Sequence, residues 1–161
     1  MVRQACGTFF IQIHELTGNL IRSFVTEASS QIGYYTTNFK LGVLPEKGIV
    51  IPSNKQLIVY SQTGQVIRRI SCDLCTGDNL GIAPIGDSSV TVSVRARNTV
   101  FRIDLDSGEV MWTSKHVPRP QGAVCYKNRY VLVTNCKTPI KMWILDANTG
   151  QIIFVNYYWL L

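Results

Sequence analysis

A Thr-Gly or Ser-Gly pair recurs along the chain at nearly even intervals. Its glycines are Gly18, Gly64, Gly108 and Gly150, which stand 46, 44 and 42 residues apart. Each lies between two runs rich in Val, Ile, Tyr and Trp, residues that fit a pleated, packed surface. A unit of about 40 to 45 residues is too short to bury both faces of its own strands, so it must stack on neighbours. This periodicity limits the fold more than any other feature of the sequence.

The clearest unit is PQGAVCYKNRYVLVTNCKTPIKMWILDANTGQII, residues 120–153. It reads as strands at 122–126, 130–134, 140–145 and 151–155, with Gly, Asn and Pro punctuating the turns. The unit before it reads as strands at 81–84, 90–94, 99–104 and 109–113. The one before that has strands at 39–44, 49–52, 56–60 and 65–70. Residues 9–13 and 20–24 form only the second half of a unit, joined to the rest by the polar stretch TEASSQ. The expected fold is all-β: a β-propeller of about three and a half four-stranded blades in an incomplete ring. As one partial domain it divides into a half blade 1–24, blades at about 36–70, 81–114 and 122–155, and a tail 156–161 with no strand partner. Closing a ring takes about four blades at the least. The chain is therefore expected to be a piece of a longer propeller, or to associate through uncovered end blades.

Composition narrows the class further. An apolar fraction of 46% with only 16% charged residues describes a globular protein whose strands are largely buried on both faces. The formal charge of +6 is compatible with nucleic acid or an acidic partner. Cys6, Cys72, Cys75, Cys125 and Cys136 are an odd set with no pairing pattern, and His14 and Glu15 interrupt what a cleavable signal would need. Reduced thiols and a cytoplasmic location are expected. The apolar runs, such as 152–161 broken by Asn156, fall short of the roughly 20 residues of a membrane span, so no membrane contact is expected.

At PQGAVCYKNRYVLVTN followed by KMWILDANTGQII the chain resembles the NHL repeat, with Pro-x-Gly opening an inner strand and a strand, turn and outer strand closing the unit. The resemblance spans roughly residues 40–155. GIAPIGDSSVTVSVRARNTVFRIDLDSGEVMW is similar but lacks the opening proline. The resemblance implies a six-bladed propeller of the kind found at the C-terminal end of tripartite-motif (TRIM-NHL) ubiquitin ligases, a platform for protein or RNA recognition. Ligase chemistry in that family belongs to a RING domain, and this sequence holds none. LDSGEVMW also looks like the repeat of quinoprotein-type propellers, which makes a fragment of such an enzyme the alternative.

Blade topology sorts the charges. The turn after strand two and the crossover to the next blade share one end of each sheet. There Lys55, Arg95, Arg97, Lys115, Arg119 and Lys137 face Glu27, Asp73 and Asp78, a net +3. The opposite end carries Lys47, Lys127 and Arg129 against Glu15, Glu46, Asp87, Asp104, Asp106, Glu109 and Asp146, a net −4. A basic end built from successive loops is the footprint of phosphate contacts, with His116 and Asn135 placed to hydrogen-bond bases of a single-stranded RNA. The competing explanation is a solvated rim that keeps the protein soluble, its partner then being another protein.

No catalytic or metal site is expected, and no cofactor. Two histidines, His14 and His116, are too few for a multi-histidine centre. Asp104 and Asp106 share a side by alternation but read as solvated turn acids. Cys72 and Cys75 form a lone CxxC with no second pair nearby, so ordinary thiols are the simpler expectation. Trp112, Trp143, Phe101 and Tyr130 sit on strands, where large aromatics fill the space between sheets.

Overall fold

The structure, a computed structural model, describes residues 9–26, 40–53, 55–75, 80–135 and 139–158. An antiparallel hairpin of β1 (Phe9–His14) and β2 (Leu20–Thr26) comes first. Three four-stranded antiparallel sheets follow, each pairing its strands in chain order. The first blade is β3 (Gly42–Leu44), β4 (Gly48–Ser53), β5 (Gln56–Tyr60) and β6 (Val66–Ser71). The second is β7 (Leu80–Ile85), β8 (Ser89–Val94), β9 (Thr99–Asp104) and β10 (Val110–Ser114), with a single 3-10 turn, Arg95–Arg97, between β8 and β9. The third is β11 (Pro120–Tyr126), β12 (Tyr130–Asn135), β13 (Ile140–Asp146) and β14 (Ile152–Tyr158). This is the expected propeller arrangement, three blades and part of another. Among the described residues no helix is long and apolar enough to cross a membrane.

Strand alternation builds one core layer between each pair of sheets. Ile11, Ile13 and Phe24 of the hairpin meet Ile49, Ile51, Ile58 and Tyr60 of the first blade. Leu57 and Val59 point the other way, to Val90, Val92, Val94, Phe101 and Ile103 of the second. Val100 and Trp112 then meet Val131, Val133, Trp143 and Leu145 of the third. A fully buried Val, Leu or Ile side chain contributes about 1.5 to 3 kcal/mol, against about 0 to 1 kcal/mol for an exposed ion pair. The Lys47–Asp106 pair that joins the first and second blades at 3.0 Å is thus a minor term beside the layer beneath it.

The recurring glycines have a second use. In each of the three full blades the turn between third and outer strands lies under a side chain from the preceding sheet's outer strand: Phe24 over Gly64, Ile70 over Gly108 and Trp112 over Gly150, whereas nothing among the described residues lies over Gly18. A Cβ on Gly150 would lie 2.5 Å from the Trp112 ring, and φ there is +70°. Glycine is therefore needed on both steric and backbone grounds.

Three expectations change in detail. β14 continues to Tyr158, pairing Asn156 with Met142, Tyr157 with Lys141 and Tyr158 with Ile140. Half of the segment read as an unpartnered tail is thus part of the last blade, because β13 is long enough to offer it a ladder. β3 begins only at Gly42, and the expected blade start at 36–39 and tail end at 159–161 lie outside the described residues. Pro52, expected to end a strand, is followed by Ser53 within β4 and stands opposite Leu57.

The two ends of the stack differ. On the third blade's outer face Val124, Leu132, Ile144 and Phe154 form one cross-strand row. Val124 and Phe154 are exposed, at 57% and 52%. On the hairpin's outer face Gln12 is paired with Ser23, and His14 Nδ1 donates to the Gly18 carbonyl of the turn at 3.0 Å. One end is apolar and the other mixed.

Candidate functional site

The second turns and the crossovers gather at one end of the sheets, as the topology requires. Lys55 occupies the β4–β5 turn, Arg95 and Arg97 the turn after β8, and Lys115, His116 and Arg119 the crossover from β10 to β11. Lys55, Arg97, Lys115, His116 and Arg119 are exposed and Arg95 is half-buried. Asp73 is the only carboxylate among the described residues of these loops. Lys137, Glu27 and Asp78 lie outside the described residues.

These loops are fixed by backbone geometry. Lys55, Asn98 and Arg119 all adopt positive φ, at 56°, 51° and 48°. Asn98 tolerates that region through its short polar side chain, and its Oδ1 accepts the Arg119 amide at 2.8 Å. The second turn and the crossover of the second blade are thereby joined. Val117, fully buried against the third blade, anchors the same crossover and leaves Lys115, His116 and Arg119 on the surface around it. Lys55 is tied in the same way to the CDLC segment: its amide donates to the Cys75 carbonyl at 3.0 Å, and its carbonyl accepts from the Cys72 amide at 2.7 Å.

Asn135 is a correction. Its side chain is buried and its Oδ1 accepts the Lys141 amide at 2.8 Å, holding the β12–β13 turn closed. A group committed in this way is not presented to a base. Asn98 takes the role of organising asparagine on this end; the sequence signal for it is an Asn at a tight turn between two strands, RARNTV.

At the opposite end the acids serve the fold. Asp104 Oδ1 accepts the Asp106 and Ser107 amides and Asp146 Oδ1 those of Asn148 and Thr149, all at 2.7 to 2.9 Å. These hydrogen bonds, with the Ser107 and Thr149 amides foremost, hold both carboxyls below the usual carboxylate range. Asp87 Oδ1 accepts the Glu46 amide at 2.9 Å across the blade boundary. Asp106 is paired with Lys47, so Asp104 and Asp106 do not form an acid–base couple. A groove lined by Lys47, Val59, Ile67, Arg68, Leu105 and Asp106 runs beside that pair.

The buried Arg102 was not singled out by its sequence context. Its Nε donates to Ser89 Oγ at 3.0 Å and its Nη1 to the Ala147 carbonyl at 2.9 Å and Asn148 Oδ1 at 3.1 Å, beside the Trp112 Nε1 bond to the same carbonyl at 2.8 Å. It clamps the third blade's turn to the second blade. Trp112, Trp143 and Phe101 are buried core as expected, and Tyr130 is half-buried. Among the described residues no three His, Cys, Asp or Glu side chains gather into a metal-holding group.

No protein-family model matches the chain, and no curated protein does. Its likeness is to solved propellers. It is similar to BamB from Moraxella catarrhalis, at 18% identity over 86% of this chain and 40% of that one, with a TM-score of 0.59. It is equally similar to the Pan2 WD40 domain of Neurospora crassa, at 16% identity over 86% and 40%, with a TM-score of 0.59. A protein of unknown function from Bacteroides caccae matches at 13% identity over 90% and 53%, with a TM-score of 0.62. The chain thus has the β-propeller fold, and it spans 40% to 53% of the length of these structures.

Proposed function

We propose that the chain is a non-catalytic recognition segment of a propeller, of NHL-like type, that binds single-stranded RNA through its basic loop end in the cytoplasm. The observation that carries this reading is the set Lys55, Arg95, Arg97, Lys115 and Arg119 on loops held by backbone hydrogen bonds, with Asp73 as the only described carboxylate among them. Rigid loops lose little freedom on binding, and cations spaced along successive blades suit a phosphate backbone better than a point ligand. Membership of a ubiquitin-ligase-type protein belongs to the same proposal, as does an exchange of RNA for a protein partner.

The test is binding of a random single-stranded RNA pool at two salt concentrations. Salt-sensitive binding with enriched sequences is expected, and the combined Arg95→Glu, Arg97→Glu and Lys115→Glu variant should lose affinity at least tenfold. Each lost phosphate contact should flatten the salt slope by about 0.7. Unchanged affinity and slope in that variant would defeat the RNA reading and leave protein recognition. The quinoprotein-type enzyme rests on LDSGEVMW, whose Asp106 is paired with Lys47 and whose Trp112 is bonded to the Ala147 carbonyl; finding calcium bound to the purified protein would favour it.

A further inference from the structure

We propose that Cys72 and Cys75 form a thiol–disulfide switch that sets how firmly the crossover after the first blade, and with it the Lys55 turn, is held to the core. The two residues bracket a tight turn closed by the Cys75 amide on the Cys72 carbonyl at 2.9 Å. Both side chains are buried in the layer between the first and second blades. Two further hydrogen bonds splice this turn to Lys55, which itself sits at positive φ. A change in the geometry of the turn therefore passes to Lys55 through two bonds.

The pair is chemically asymmetric. The Cys75 thiol, hydrogen-bonded to Cys72, draws Cys72 down to about 7, against burial and the nearby Asp73 carboxylate, which both push it up. Cys75 is pushed far up by that same hydrogen bond and by burial, so it keeps the proton. Cys72 is then the attacking group. Its thiolate attacks one sulfur of a small disulfide of the glutathione class, the S–S bond breaks and one thiolate leaves. Cys75 releases its proton to water and attacks Cys72 Sγ, expelling the second thiolate. The protein pair loses two electrons and the small disulfide gains them. With 5% and 1% of their surface exposed, the thiols react when the crossover opens, so oxidation reports that opening. A disulfide demands a Cβ–Cβ separation near 3.8 Å and a torsion near 90°, which a hydrogen-bonded dithiol does not.

The experiment equilibrates the whole chain with reduced and oxidised glutathione at graded ratios, quenches in acid, and maps disulfides by mass spectrometry. A Cys72–Cys75 bridge that rises with the oxidised fraction is expected. The amide of Lys55 should change its hydrogen-exchange rate at least tenfold between the two states. In the reduced protein the alkylation rate of Cys72 should titrate near pH 7, while Cys125, raised by its burial, titrates well above it. No bridge at any ratio, a bridge that leaves the Lys55 amide unchanged, or zinc bound by the two thiols would each overturn the switch. RNA is absent from the assay, so its outcome is separate from the binding test.

Discussion

Several residues that look like candidate chemistry are occupied in joining blades. Arg102 is the plainest case, a buried guanidinium whose three hydrogen bonds end on neutral oxygens of two blades. Lysine cannot reproduce that fork, so Arg102→Lys should lower stability by about 1 to 3 kcal/mol in urea unfolding. Thr91 is the converse: its Oγ1 is buried with no hydrogen-bond partner among the described residues. Replacing it by the isosteric valine removes an unsatisfied group, and Thr91→Val should raise stability by about 1 kcal/mol. A destabilised Thr91→Val protein would show that the hydroxyl has a partner in solution.

Single strands carry the alternation on which the stack depends. Every residue of β8, SVTVSV, is buried: the valines fill the layer toward the first blade and the small Ser89, Thr91 and Ser93 turn toward the third. That small side is needed because the inner strands run close. A Cβ on Gly81 would lie 2.3 Å from Ser93 Oγ and 2.6 Å from the Gln121 carbonyl oxygen, which belongs to the next blade. Gly81→Ala should therefore cost about 1 to 3 kcal/mol, against about 0.5 kcal/mol or less for an ordinary surface change, seen as a lowered melting temperature. The strands and their turn glycines were legible in the sequence because alternation and turn chemistry are local signals. Arg102 and Asn135 were not, because their acceptors and donors are fixed only when β13 and its turn are placed beside them. The basic loops could be assigned to one end from topology alone, whereas the bonds that hold them, such as Asn98 to Arg119, depend on a left-handed backbone residue that sequence spacing does not reveal.

At the scale of the molecule, charge at the acidic end is coupled to folding. Asp104 and Asp146 have folded-state carboxyls below their unfolded values, so their contribution is present at neutral pH and is lost as pH falls through the carboxylate range. Asp104→Asn with Asp146→Asn keeps the accepting oxygens and removes the titration. The acid limb of a stability–pH curve should accordingly flatten in that double variant. The apolar row on the third blade is expected to act through association instead: Phe154→Lys should reduce concentration-dependent light scattering with little shift of the unfolding midpoint, since Phe154 is exposed on the face away from the core layer.

The three core layers are each shared by just two sheets, and that arrangement governs how the protein comes apart. Cooperativity here passes from neighbour to neighbour, like dominoes, with no central core to hold all the pieces at once. The second blade alone is flanked by a full blade on each side. Its β8 and β9 amides should be the last to exchange with deuterium, and those of β1, β2 and β14 the first. Wear then starts at the margins and moves inward, and the slowest clock in the molecule sits beside the turn that carries Arg95 and Arg97.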